Sequence, residues 1–112
     1  MLQILAEENF PLSAHSIALR SATTSRAIVP AQVYRTLGRL EEEGTVSRIE
    51  SLSAYAIKPE SGDVPLIDKA SRKLEWASAP EIACRLKQIA EKTGFRPRRL
   101  VIEIQGRFKV EN

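Results

Sequence analysis

Residues 29–57 read VPAQVYRTLGRLEEEGTVSRIESLSAYAI, a helical pattern that stops at a glycine and runs straight into a two-stranded one. Val33, Leu37 and Leu40 recur at i, i+4 and i+7, which makes one stripe of a 3.6-residue helix. Pro30 suits the first turn, where its missing N–H leaves no bond unmade. Gly44 suits the left-handed residue that stops a helix. Residues 46–50 and 53–58 then have strand character, with a tight connection at Ser51 and Leu52. A helix followed at once by such a hairpin is the outline of a recognition helix and wing, the reading half of a winged helix-turn-helix.

The flanking segments read as support for that unit. Residues 2–8 predict a short helix with Leu2, Leu5 and Ala6 on one side, broken by Phe10 and Pro11. Ser13 is placed to N-cap a second helix running to about Ser21, with Ile17 and Leu19 as its apolar residues. Residues 21–26, SATTSR, read as a polar loop. PESGD, at 59–63, is a linker by composition, so residues 1–58 and 64–112 are expected to form two units. In the second, the apolar run 64–67 pairs with 72–77 as a hairpin. Ser78-Ala79-Pro80-Glu81 is a capping box that opens a helix. Ile82, Leu86, Ile89 and Ala90 give this helix a core stripe, and Gly94 ends it. Residues 100–105 alternate as a strand, with Leu100, Ile102 and Ile104 on one face. The expected fold class is α+β: a winged helix-turn-helix followed by a small α/β lobe.

Composition removes other classes. No apolar run approaches the ~20 residues of a membrane helix. The N-terminus lacks the basic flank and cleavage site of a signal peptide, so the expected location is cytoplasmic. One cysteine, Cys84, cannot form an internal disulfide, and with His15 it cannot build a metal cage. His15 reads as a surface or lightly buried histidine, and Cys84 as a buried thiol. No Ser/His/Asp or Cys/His set and no glycine-rich phosphate loop occurs, so no enzyme is expected. Net charge is only +3, and residues 1–58 are neutral, with six basic and six acidic groups. Basic groups on a nucleic-acid face must therefore be well placed, because they are few.

The segment QVYRTLGRLEEEGTVSRIESLSAYAI resembles the DNA-binding half of the ferric uptake regulator (Fur) family, in its zinc-uptake-regulator branch. The matching pieces are the helix VYRTL, the glycine after it, and RIESLSAY. LIDKASRKLEW and IAEKTGFRPRRLVIEIQG are similar to that family's dimerisation part. The resemblance implies a homodimeric winged-helix repressor on a palindromic double-stranded DNA operator. It also implies metal ligands that this sequence lacks. Asp68 and Ser71 stand where relatives have a CxxC pair, Thr93 and Arg107 where they have histidines, and Gly62-Asp63-Val64-Pro65 where they have a histidine-rich run. An isolated carboxylate does not hold a transition metal against water. The expectation is a member with no metal and no cofactor.

The candidate DNA-binding residues are Gln32, Tyr34, Arg35, Arg39 and Arg48. Tyr34 can meet a thymine methyl and a phosphate, and Arg35 can fork onto guanine O6/N7. The competing structural roles are a tyrosine packed at the helix–wing junction and an arginine paired with Glu41 or Glu42. Gln32 suits adenine. Arg39 suits phosphate. Arg48 suits a phosphate or the minor groove, or else a solvated strand edge. Glu41, Glu42 and Glu43 lie at the helix end where its dipole disfavours them, so the N-terminal half of the helix is expected to read. Arg96, Arg98 and Arg99 form a basic cluster suited to an interface rim or a phosphate patch. A rival function is a protein-interaction module that pairs with a full-length relative and does not itself bind DNA.

Overall fold

The computed structural model describes residues 1–8, 10–22 and 30–109. Three helices, α1 (Leu2–Ala6), α2 (Ala14–Ala22) and α3 (Pro30–Glu42), precede an antiparallel hairpin of β1 (Val46–Ile49) and β2 (Ala54–Ile57). A second sheet follows, with β3 (Val64–Asp68) between antiparallel β4 (Lys73–Ala77) and parallel β5 (Ile104–Gln105). Helix α4 (Pro80–Glu91) connects β4 towards β5. No strand of one sheet pairs with a strand of the other. Among the described residues no helix is long and apolar enough to cross a membrane.

Ile17, Val33, Leu37, Val46 and Ile49 are fully buried. The stripe of α3 packs with Leu5, Leu12, Ala14, Ile17, Ala18, Val46 and Tyr55 into one apolar cluster. Leu12 and Tyr55 exchange both backbone hydrogen bonds, at 2.9 and 2.7 Å, which ties the strand-like entry to α2 onto the hairpin. Ser13 caps α2 as expected, its Oγ accepting from the N–H of Ser16 at 3.1 Å. Gly44 ends α3 at φ 79°, and the N–H of Thr45 donates back to Leu40, the bond of a left-handed helix stop.

Several local expectations change. On α1 only Leu5 is buried; Leu2 and Ala6 are exposed, and Ile4 and Met1 lean on the core in their place. Leu19 is 58% exposed, and α2 buries Ala14, Ile17, Ala18 and Ser21 instead. The hairpin connection is longer than two residues: 50–52 form a 3-10 turn and Ser53 takes the left-handed conformation at φ 49°. Of the loop expected at 21–26, Ser21 and Ala22 belong to α2, and 23–26 lie outside the described residues, as does Val29. At α4, Pro80 enters the first turn, but no side chain of Ser78–Glu81 caps it. The Asp63 carboxylate, just before β3, accepts the N–H of Ala79 at 2.7 Å instead.

The largest change concerns α4 itself. Ile82, Leu86 and Ile89 are 52, 41 and 47% exposed, so among the described residues most of the expected core stripe is left uncovered, with only Ala90 partly buried. The last strand is also short, because only Ile104 and Gln105 pair with β3 and 100–103 remain unpaired backbone.

Candidate nucleic-acid interface

Helix geometry divides α3 into two sides. Successive residues step by about a quarter turn, so once Val33, Leu37 and Leu40 point inward, Arg35 points directly outward. Gln32 and Tyr34 flank it on either side. All three are exposed, Tyr34 to 60%. This rules out a tyrosine packed into the helix–wing junction. Among the described residues Arg35 has no carboxylate within salt-bridge distance, so neither Glu41 nor Glu42 holds it. Gly38 lies one turn beyond Tyr34 on the outward side, and a Cβ built there meets nothing within 4 Å. The sequence reading overlooked this glycine. Its signal was available, because an exposed mid-helix glycine costs stability and is unexplained by packing.

The other two candidates are engaged. Arg39 lies 3.9 Å from Glu43, one turn on, in a pair exposed enough to exchange partners readily. Arg48 stands on β1 opposite Tyr55 and is half-buried against Glu50, with which it forms an ion pair. Burial opposes charge on Arg48, but the Glu50 carboxylate and the Tyr55 hydroxyl more than offset it, and its pKa is raised. Glu50 in turn is held below the usual carboxylate range, chiefly by a hydrogen bond from Arg99 and then by Arg48, against the effect of burial. Sequence reasoning missed Glu50 as the partner of Arg48, and Arg99 as the second partner of Glu50. No local pattern joins residues 49 positions apart.

The positions matched to metal ligands have other occupations. Asp68 is buried. Its Oδ1 accepts from the N–H groups of Ala70 and Ser71 at 3.0 and 3.1 Å, and its Oδ2 from the N–H of Phe108 at 2.9 Å. Those donors, Ser71 first and then Phe108, lower its pKa against burial. The Thr93 hydroxyl donates to the carbonyl of Ala90 at 2.8 Å. Among the described residues no three His, Cys, Asp or Glu side chains converge. Cys84 is exposed and not buried as expected, and the step of the helix sets it on the side of α4 opposite Ile82, Leu86 and Ile89.

No protein-family model matches the sequence, and no curated protein matches it either. Solved structures do. A zinc uptake regulator complexed with zinc and DNA is 27% identical, with a TM-score of 0.79 over 94% of this chain and 73% of the other. A zinc-bound manganese uptake regulator, also 27% identical, gives 0.54 over 93% and 81%. The ferric uptake regulator of Francisella tularensis with iron is 20% identical and gives 0.61 over 96% and 85%.

Proposed function

We propose that this chain is a zinc-uptake-regulator-like member of the ferric uptake regulator family, which it resembles in structure at 27% identity, and that it is a homodimeric repressor that binds palindromic double-stranded DNA without a metal cofactor. One observation carries the reading. Helix α3 spends its whole apolar side on the core and turns Gln32, Tyr34 and Arg35 outward, with Arg35 in no ion pair among the described residues and Gly38 leaving the helix surface bare beside them. The neighbour solved with DNA supports the same assignment. In the major groove Arg35 forks onto guanine, Tyr34 contacts a thymine methyl and a phosphate, and Gln32 pairs with adenine. Arg39 and Arg48 exchange Glu43 and Glu50 for phosphate.

The organisation proposed is a reading domain at 1–58, a linker at 59–63 and a dimerisation lobe at 64–112. A second copy covers Ile82, Leu86 and Ile89 of α4. Two-fold pairing then sets two α3 helices about one DNA turn, ~34 Å, apart. A metal does not fit the matched ligand positions. Both Asp68 oxygens are already hydrogen-bonded by backbone donors, Thr93 is a donor to a carbonyl, and Arg107 carries the wrong charge.

The test is selection of duplexes from a random pool, followed by fluorescence anisotropy with and without a strong chelator. A palindromic duplex bound equally in both conditions is expected. Loss of binding in chelator overturns metal independence. Failure to enrich any duplex overturns DNA binding and favours the interaction-module reading. Replacing Tyr34 and Arg35 together by alanine weakens the selected duplex by about 1–3 kcal/mol per lost base contact. Repression is checked with a reporter whose promoter carries that duplex.

A further inference from the structure

The unpaired segment 99–103 reaches back onto the hairpin. Arg99 forms an ion pair with Glu50 and lies 3.9 Å from Glu41 at the end of α3. Four residues on, Glu103 accepts the N–H of Glu50 at 2.5 Å and that of Ser51 at 3.1 Å, so a carboxylate more than fifty residues away caps the turn of the hairpin. Glu50 also holds Arg48, which makes a continuous chain from Arg48 through Glu50 and Arg99 to Glu41. These contacts grip two separate places on the first unit, the end of α3 and the hairpin turn. Two points of attachment restrict rotation where one does not. They close over a cleft of about 210 Å³, lined by Arg48, Lys58, Asp63, Trp76, Arg99 and Glu103. No helix or strand before the linker packs extensively on one after it. The ionic and hydrogen-bonding contacts of 99–103, with Arg72 over the Phe10 ring at 4.5 Å, are among those that join the two units.

We propose that segment 99–103 is an ionic clasp that fixes the angle between α3 and the second unit, with Arg99 and Glu103 as its positioning residues. Its bearing on DNA rests on the proposed function, because an angle released in each protomer loses the spacing of the two reading helices. The clasp itself can be tested without DNA. Half-exposed ion pairs are screened by salt, and at ~1 M the Debye length falls to about 3 Å, so the angle should loosen as ionic strength rises.

Cys84 is exposed and the only cysteine, and a side chain at Gly38 meets open space, so Gly38→Cys and Cys84 can carry a pair of spin labels. Pulsed EPR on the full chain, diluted into unlabelled protein, reads the distance distribution within one protomer. A narrow distribution is expected, broadening roughly two-fold at ~1 M salt and again in the double variant Arg99→Gln, Glu103→Gln. The double variant Arg96→Gln, Arg98→Gln removes two neighbouring cations as a control for charge and should leave the width unchanged. Distributions that overlay the parent's in both the clasp variant and high salt overturn the proposal, whether or not DNA is bound. Equal broadening by the control variant overturns it too, since the effect would then be one of bulk charge. The salt arm uses an intact clasp and decides the matter should the clasp variant not fold.

Discussion

Helices α3 and α4 carry their apolar residues at the same spacing and do opposite things with them. Val33, Leu37 and Leu40 on α3 are buried, whereas Ile82, Leu86 and Ile89 on α4 are about half exposed. The difference lies in what the chain places opposite. Helix α3 is met by α1, α2 and the hairpin. Helix α4 lies between β4 and β5 in the chain, and among the described residues no other element makes extensive contact with it. A stripe states that a face must be covered. It does not state whether the cover comes from the same chain.

Breaking the proposed cover gives the largest expected effect. Ile82→Glu with Ile89→Glu places charges on the uncovered stripe and should leave a monomer, read by sedimentation velocity, with helix content retained. A dimer that survives both charges would remove the stripe from the interface. The matching cut in α3 acts on folding. Leu37→Ala opens a cavity in a fully buried site and should cost about 2–5 kcal/mol in denaturant unfolding. Leu86→Ala, at the equivalent step of α4, should shift the concentration midpoint of self-association instead. Equal unfolding losses from the two would erase the contrast between the helices.

Acid should separate the two units next. The folded pKa of Asp68 lies below its unfolded value, so its contribution to stability is complete above the unfolded pKa and is lost as pH falls through the folded one. Amide exchange at 104–109 should therefore rise on acidification before exchange in α2 and α3 does, and Asp68→Asn should remove that pH dependence. The smallest effect is expected at Gly38. Gly38→Ala meets no atom and should stabilise α3 by roughly 0.5–1 kcal/mol while weakening the selected duplex, if DNA approaches the bare helix surface. Tighter binding by the alanine variant would show that the glycine serves no close approach.

Most elements were legible because they depend on short-range rules. The α3 stripe, Pro30, Ser13 and Gly44 each act within a turn or two of themselves, and each appears where periodicity and capping place it. The β3–β4 hairpin falls within a residue or so of its expected ends. Exposure of Tyr34 and Arg35 also followed from the stripe, since helix geometry leaves them nowhere else to point. The failures concern partners far away in sequence. Arg48 reads as a free wing cation until Arg99 and Glu103 return to its neighbour. Asp68 reads as a lost ligand until Phe108 donates to it.

Gly62 bears on how such a molecule could be rebuilt. A Cβ there would lie 2.6 Å from Pro59 Cγ and 2.7 Å from Trp76 Cβ, both too close for any real side chain. The short stretch between the units is thus seated against the indole of β4, like a keyed joint, and does not hang free as a tether. A chimaera that joined this hairpin to a different C-terminal half would need to carry both the missing side chain and the ring that fills its place. Swapping either alone would leave a wedge or a gap at the pivot.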